Sequence, residues 1–249
     1  MTHWQPLDCH AHSTCSDGVL APDEVCATAA GHGARGTVSD HVSRDVRFAV
    51  KSSDAFDAYT ALIAHLPYRS AEFCSHDSLW RELSPEQLGR LTHRIGSLHA
   101  VPMDDGTLVR MFQRELPPGL TRDAYMARHL LAIETLADTM PIEIFAHPTL
   151  VPYELRELPA EELWREEDEE RLVAALKRNG ICFEISNRYR AHMRLVQRAI
   201  DSGVRMSLGS DGHVLEQIGN LAWPLEIARS LGLGDDALYD PAVHGTRLG

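Results

Sequence analysis

His10 and His12 stand one residue apart in Asp8-Cys9-His10-Ala11-His12, with Asp17 shortly after. In a β-strand, side chains two apart share a face. The end of an opening strand would therefore present two imidazoles side by side, a natural pair of ligands for zinc, iron or manganese. The same residue types recur at Asp40-His41, Glu72, His99, His147 and Asp211-Gly212-His213. Each has an ordinary account alone, as a strand cap, a loop residue or a helix cap. Together they suit metal-assisted chemistry, in which bound cations activate water and stabilise charge developing on oxygen.

Those residues need elements that end in the right places. The chain alternates short apolar runs with helical segments, and nearly every run closes on one of the residues above. Strands are expected near Gln5–Leu7, Gly36–Ser39, Tyr68–Phe73, Ile95–Leu98, Ile142–Ala146, Ile181–Ile185 and Val204–Leu208. Between them, Pro22 opens a helix that Gly31 or Gly33 ends, and a helix is expected around Ala55–Leu66 and near Leu83–Leu91. Thr121 caps a helix with Met126, Leu130, Ile133 and Ala137 on one face. Leu172–Leu176 lies in a helix stopped by Lys177, Arg178 and Gly180. Later helices are read through Leu195–Ile200 and over Leu215–Leu231. Residues 101–120 read as loop, and the Glu run from Glu161 to Glu170 as a solvated face. Seven strands alternating with helices imply βα units, a mainly parallel sheet and closure into a barrel. Active sites in such barrels lie at the C-terminal strand ends.

Composition narrows the classes. With 249 residues the chain suits one barrel-sized domain spanning 1–249. A net charge of −12 argues against stable nucleic-acid binding, which needs a basic face for phosphate contacts. Five cysteines (Cys9, Cys15, Cys26, Cys74 and Cys182) form no C-x-x-C pair, and no apolar run approaches membrane-spanning length. The expectation is a cytoplasmic protein with reduced thiols and no membrane partner. Cys9 is read as core packing, and His65 and His93 as surface residues.

At these positions the chain resembles the polymerase and histidinol phosphatase (PHP) family. The matching motifs are Asp8-Cys9-His10-Ala11-His12, Ser39-Asp40-His41, the strand at Glu72, Gly96-Ser97-Leu98-His99, Ala146-His147-Pro148, Phe183-Glu184-Ile185-Ser186-Asn187 and Gly209-Ser210-Asp211-Gly212-His213. Their order and spacing are most similar to the stand-alone, histidinol-phosphatase-like members. The resemblance implies a distorted (β/α)7 TIM-like barrel holding two or three divalent ions, commonly zinc, manganese or iron. It implies one site of His10, His12, Glu72 and Asp211. Glu72 would bridge to a second ion held by His99 and His147, and Asp17, His41 and His213 would take a third. Asp40 would orient an imidazole from behind. Some members carry His where Asp17 stands. The strand before Glu72 is polar, so His76 and Asp77 stand beside it as substitute ligands.

The implied reaction is hydrolysis of a small phosphate ester, with Asp211 or His213 taking or relaying a proton. Arg188 and Arg190 are candidate anchors for phosphate oxygens, with Arg44 and Arg47 weaker ones. Histidinol phosphate, a nucleotide, a sugar phosphate and a diester all remain open as substrates. Two other classes stay open: an amidohydrolase-type cleavage of C–N or C–O bonds, and a non-catalytic metal-binding module. The first usually uses a bridging lysine, and Lys51 and Lys177 stand away from any strand end.

Overall fold

A computed structural model describes residues 5–247. In chain order its elements are β1 (Leu7–Asp8), α1 (Pro22–Gly31), β2 (Arg35–Gly36), β3 (His41–Val42), α2 (Ser53–Leu62), β4 (Glu72–Cys74), α3 (Leu79–Glu82), α4 (Pro85–Leu88) and β5 (Ile95–Ser97). There follow β6 (Ala100–Pro102), β7 (Leu108–Arg110), α5 (Arg122–Thr139), β8 (Ile144–Phe145), α6 (Tyr153–Arg156), α7 (Ala160–Leu163) and α8 (Glu166–Asn179). The last are β9 (Cys182–Ser186), α9 (Met193–Asp201), β10 (Met206–Gly209), α10 (Ala222–Ser230) and α11 (Pro241–His244).

The architecture is α/β with a parallel sheet. Six strands run in the order β10-β9-β8-β5-β4-β3, every neighbouring pair parallel. β1 pairs in parallel with β2, Leu7 opposite Arg35. Beyond β1 the chain bonds on both sides. Cys9 N donates to Leu208 O at 2.9 Å, Asp211 N to His10 O at 2.8 Å and His12 N to Gly212 O at 2.8 Å, while on the other side Ser39 N donates to Ala11 O at 2.8 Å. Ser70 N donates to Val38 O at 2.8 Å, linking the segment after β2 to the one before β4.

Local chemistry explains the helix ends. Pro22 opens α1 where its missing N–H costs nothing. Thr121 Oγ1 accepts from Ala124 N at 3.2 Å and caps α5. Gly180, at φ 62°, closes α8 in the left-handed conformation that other residues resist. α5 and α8 then bury Leu130, Ile133, Leu136, Leu172 and Leu176 against one another and the sheet. Each such side chain contributes roughly 1.5–3 kcal/mol. A second apolar cluster gathers Leu7, Cys9, Ile95, Ile144, Ala146, Cys182 and Tyr239, so Cys9 is core as expected. The five cysteines are unpaired. No helix of the described residues is long and apolar enough to cross a membrane.

Several expectations fail for identifiable reasons. Residues 101–120 are not all loop: β6 and β7 form an antiparallel hairpin with Ala100 opposite Arg110. The last long helix starts at Ala222, not Leu215. Gly219, at φ 74°, turns the chain there so that its N–H reaches Asp8 Oδ2 at 2.9 Å. Glu169 is not on a solvated face. It is fully buried and binds His192 at 2.6 Å, Arg194 at 2.8 Å and Arg198 at 3.0 Å. His93 is buried too, with Nε2 3.2 Å from Cys9 O. His65 is exposed, as read.

Candidate metal centre

Titratable side chains in or next to several sheet segments gather in one place. His10 and His12 follow β1, His41 begins β3, Glu72 begins β4, His99 follows β5, His147 follows β8, and Asp211 and His213 follow β10. The alternation of a parallel strand and the common direction of the strands put these ends on one side of the sheet. Two residues reach their positions only through unusual backbone. His147 has φ 34° and Asp211 φ 50°, the two non-glycine residues of positive φ among those described. Such conformations are held by their surroundings and concentrate at functional sites.

Glu72 is the hub. Its Oε2 lies 2.7 Å from His41 Nδ1, 3.5 Å from His10 Nε2 and 3.6 Å from His12 Nε2. Its Oε1 lies 3.1 Å from His147 Nε2 and 3.3 Å from His99 Nε2. Asp211 Oδ1 is 3.3 Å from His12 Nε2 and 3.8 Å from His10 Nε2. Asp17 Oδ1 faces His213 Nε2 at 3.4 Å, His41 Nε2 at 3.5 Å and His12 Nδ1 at 3.7 Å. Three groups have ligand atoms mutually within 4.8 Å: His12, Asp17, His41 and His213; His10, His12 and Asp211; His41, Glu72 and His99.

The donor set fits divalent cations. His10 Nε2 and His12 Nε2 lie 3.1 Å apart, two imidazole nitrogens turned toward a point that Glu72 Oε2 and Asp211 Oδ1 also face. Among the described residues, His12 Nδ1, His41 Nδ1, His147 Nδ1 and Glu72 Oε2 are buried without a hydrogen-bond partner, although Glu72 and His41 approach closely. Buried polar atoms left in that state are costly unless something else binds them. Mixed imidazole and carboxylate ligation suits first-row metals.

Charge distribution agrees. Burial opposes the charge of Glu72 and Asp211, but the surrounding imidazoles outweigh it and hold both carboxyls below their ordinary range. Asp17 is held down likewise, by His213 and His41 against partial burial. Burial also opposes a charge on His41, yet Glu72 and Asp17 push it up to about 10. Burial and neighbouring His41 drive His12 down to about 3, and burial drives His99 to about 3. The centre thus sets ionised carboxylates against a ring of imidazoles, of which burial keeps His12 and His99 from protonating.

Around it stand the expected supporting residues and some unexpected ones. Arg188 belongs here: its Nη1 is 2.7 Å from His213 Nδ1 and 3.3 Å from Asp211 O. Arg190 does not, because its guanidinium turns away over Trp223 at 5.4 Å. Arg44 also points away, paired with Glu82. Asp40 does not orient an imidazole. It accepts from Ser13 N at 2.9 Å, Ser13 Oγ at 2.6 Å and Ser16 Oγ at 2.6 Å, and so fixes the loop that carries Asp17. His76 binds Asp45, and Asp77 caps local backbone N–H groups, so Glu72 has no substitute there. Glu184, inside the Phe183–Asn187 motif, carries a role that its sequence position does not announce. It is buried, with Oε1 accepting from His10 Nδ1 at 2.7 Å and Oε2 from His147 N at 2.7 Å. Gly209 makes room for it, since a Cβ there would collide with Glu184 Oε1 and stand 3.0 Å from His10 Cβ. Cys74 Sγ lies 2.9 Å from His99 Nδ1. A carboxylate in the middle of a sixth strand and a thiol beside a glutamate were the available signals.

No family model matches the sequence, and no curated protein matches it. Solved structures do match. A proposed histidinol phosphatase from Listeria monocytogenes superposes with a TM-score of 0.69 at 13% identity, covering 86% of this chain and 97% of its own. A histidinol phosphate phosphatase from Lactococcus lactis, complexed with zinc, L-histidinol and phosphate, superposes with a TM-score of 0.62 at 18% identity, covering 91% and 92%. The chain shares its fold with these two proteins, one a histidinol phosphate phosphatase and one proposed to be a histidinol phosphatase, the group that its motifs resemble.

Proposed function

We propose that the chain is a metal-dependent phosphoesterase acting on a small phosphorylated substrate, with two or three divalent cations, zinc, manganese or iron, at the centre built on Glu72. The observation that carries this reading is the convergence of His10, His12, His41, Glu72, His99, His147 and Asp211 from separate strand ends onto one buried cluster. The two oxygens of Glu72 face different imidazole groups, as a bridging carboxylate requires. The zinc and phosphate bound by the Lactococcus protein support the same chemistry here.

His10, His12 and Asp211 would hold one ion, and Glu72 with His99 and His147 a second. Asp17, His41 and His213 would hold a third. When bound, such ions make a water nucleophilic near neutral pH and neutralise charge on the phosphoryl oxygens. Glu184 fixes the proton of His10 on Nδ1 and so turns Nε2 toward the centre. Arg188, on the Asp211 side, supplies the guanidinium for a phosphate oxygen. Asp211 or His213 would take or relay a proton.

The same reading includes a distorted seven-stranded barrel and one domain over residues 1–249. It is supported by the backbone bonds that tie the first segment to β10 on one side and to the segment after β2 on the other. The unpaired cysteines suit a reducing, cytoplasmic setting. A panel of phosphomonoesters and phosphodiesters with added manganese tests the activity. Release of phosphate is expected, and its absence from all of them, with turnover of a lactone or amide, contradicts the proposal.

A further inference from the structure

On the His41 and His99 side the centre opens into a cavity of about 380 Å³, within the range of small-molecule sites. Beyond the centre it is lined by Asp45, Val46, Arg47, Arg110, Phe112 and Gln113. Its charges are unevenly paired. Arg110 grips Asp45 through both terminal nitrogens, and His76 Nε2 meets the same carboxylate at 2.9 Å. Arg47 meets no carboxylate among the described residues; its guanidinium lies 4.9 Å from the Phe48 ring centroid. Of the two lining carboxylates, Asp45 is taken by Arg110 and Asp17 faces His213, His41 and His12, so among the described residues Arg47 is the guanidinium left without an acidic partner. The Phe112 ring, 48% exposed, stands 6.4 Å from the His99 ring and offers a flat apolar wall.

Arg188 stands against Asp211 and His213 and is not among the residues lining this cavity. The cavity adjoins the centre at His41, His99 and Asp17, where the part of an ester beyond its phosphoryl group would find room. We propose that the leaving group bears an anion of its own, a carboxylate or a second phosphate, recognised by Arg47 together with Arg110. This rests on the phosphoesterase reading. In the reaction a water oxygen forms the new P–O bond, the bond to the ester oxygen breaks, and that oxygen departs with a proton. An amine-bearing leaving group such as L-histidinol, present in the Lactococcus structure, would meet a wall of its own sign.

The test uses a matched series on the metal-loaded protein: phenyl phosphate, para-carboxyphenyl phosphate, hydroquinone bisphosphate and para-(aminomethyl)phenyl phosphate. The expected result is a kcat/KM for the carboxylate or the bisphosphate about tenfold or more above phenyl phosphate, with the amine below it. Which of the two anions leads identifies the source. Arg47→Gln should erase most of that advantage. Equal turnover of all four, a preference for the amine, or an advantage that survives Arg47→Gln overturns the inference while leaving the phosphoesterase reading intact. Hydrolysis of none of the four overturns both.

Discussion

The Oε1 of Glu184 lies 2.7 Å from the Nδ1 of His10, and neither side chain is reached by solvent. That contact fixes which imidazole nitrogen faces the cluster, and the same carboxylate holds the backbone of His147. Partners of this kind orient ligands and raise their basicity. Glu184→Gln should keep the fold and weaken metal binding or activity on the order of 10- to 100-fold. Titration of the stripped protein with zinc, read by competition with a chromophoric chelator, checks it. An unchanged affinity would assign Glu184 to packing alone.

Glu72 should be the most sensitive carboxylate of the centre, because both of its oxygens face imidazoles. Glu72→Gln is expected to lower kcat/KM by more than about 100-fold and to reduce bound metal. Elemental analysis beside steady-state assays distinguishes the two effects. Retention of full metal and full rate would remove Glu72 from the centre.

The two arginines after β9 should differ. Arg188 touches the centre, whereas Arg190 stacks on Trp223. Arg188→Ala should cost about 1.5–3 kcal/mol in kcat/KM, roughly 10- to 150-fold, as loss of a charged hydrogen bond to phosphate does. Arg190→Ala should change it less than about twofold, within the scatter of surface substitutions. Inhibition by inorganic phosphate should weaken in parallel for Arg188→Ala only.

Acid stability should report on Glu169, far from the centre. Burial raises its pKa, but His192, Arg194 and Arg198 outweigh that and hold it below the usual glutamate value of 4.5. The folded state therefore binds the proton less readily than the unfolded state. The contribution is fully present above about pH 4.5 and is lost as pH falls through the folded value. Glu169→Gln should lose roughly 1–3 kcal/mol at neutral pH. The gap between the two proteins should narrow in denaturant melts as pH drops below 4.5.

Much of this arrangement was legible from the chain alone, for physical reasons. Strand period and the recurrence of His, Asp and Glu at apolar run ends single out His10, His12, His41, His99, His147 and Asp211; the five histidines meet at Glu72, and Asp211 meets His10 and His12. Ligand types must sit where strands stop, and stopping signals are local. What depended on distant partners was hidden. Glu184 lies inside a strand and reads as an ordinary alternation residue until Gly209, on the neighbouring strand, leaves space for it. Glu169 reads as one acid among many until α9 brings two arginines over it. Adjacency to His41 suggests a place for Asp40 behind an imidazole, but successive side chains diverge, and it serves the Ser13–Ser16 turn instead.

The central claim is that these side chains form one polynuclear cation centre. Anomalous diffraction at the zinc and manganese edges, on crystals of the protein loaded with each metal, tests it most directly. The account predicts two or three peaks among His10, His12, Asp17, His41, Glu72, His99, His147, Asp211 and His213, with Glu72 between two of them. A folded, well-ordered chain showing no peak there at saturating metal would contradict it.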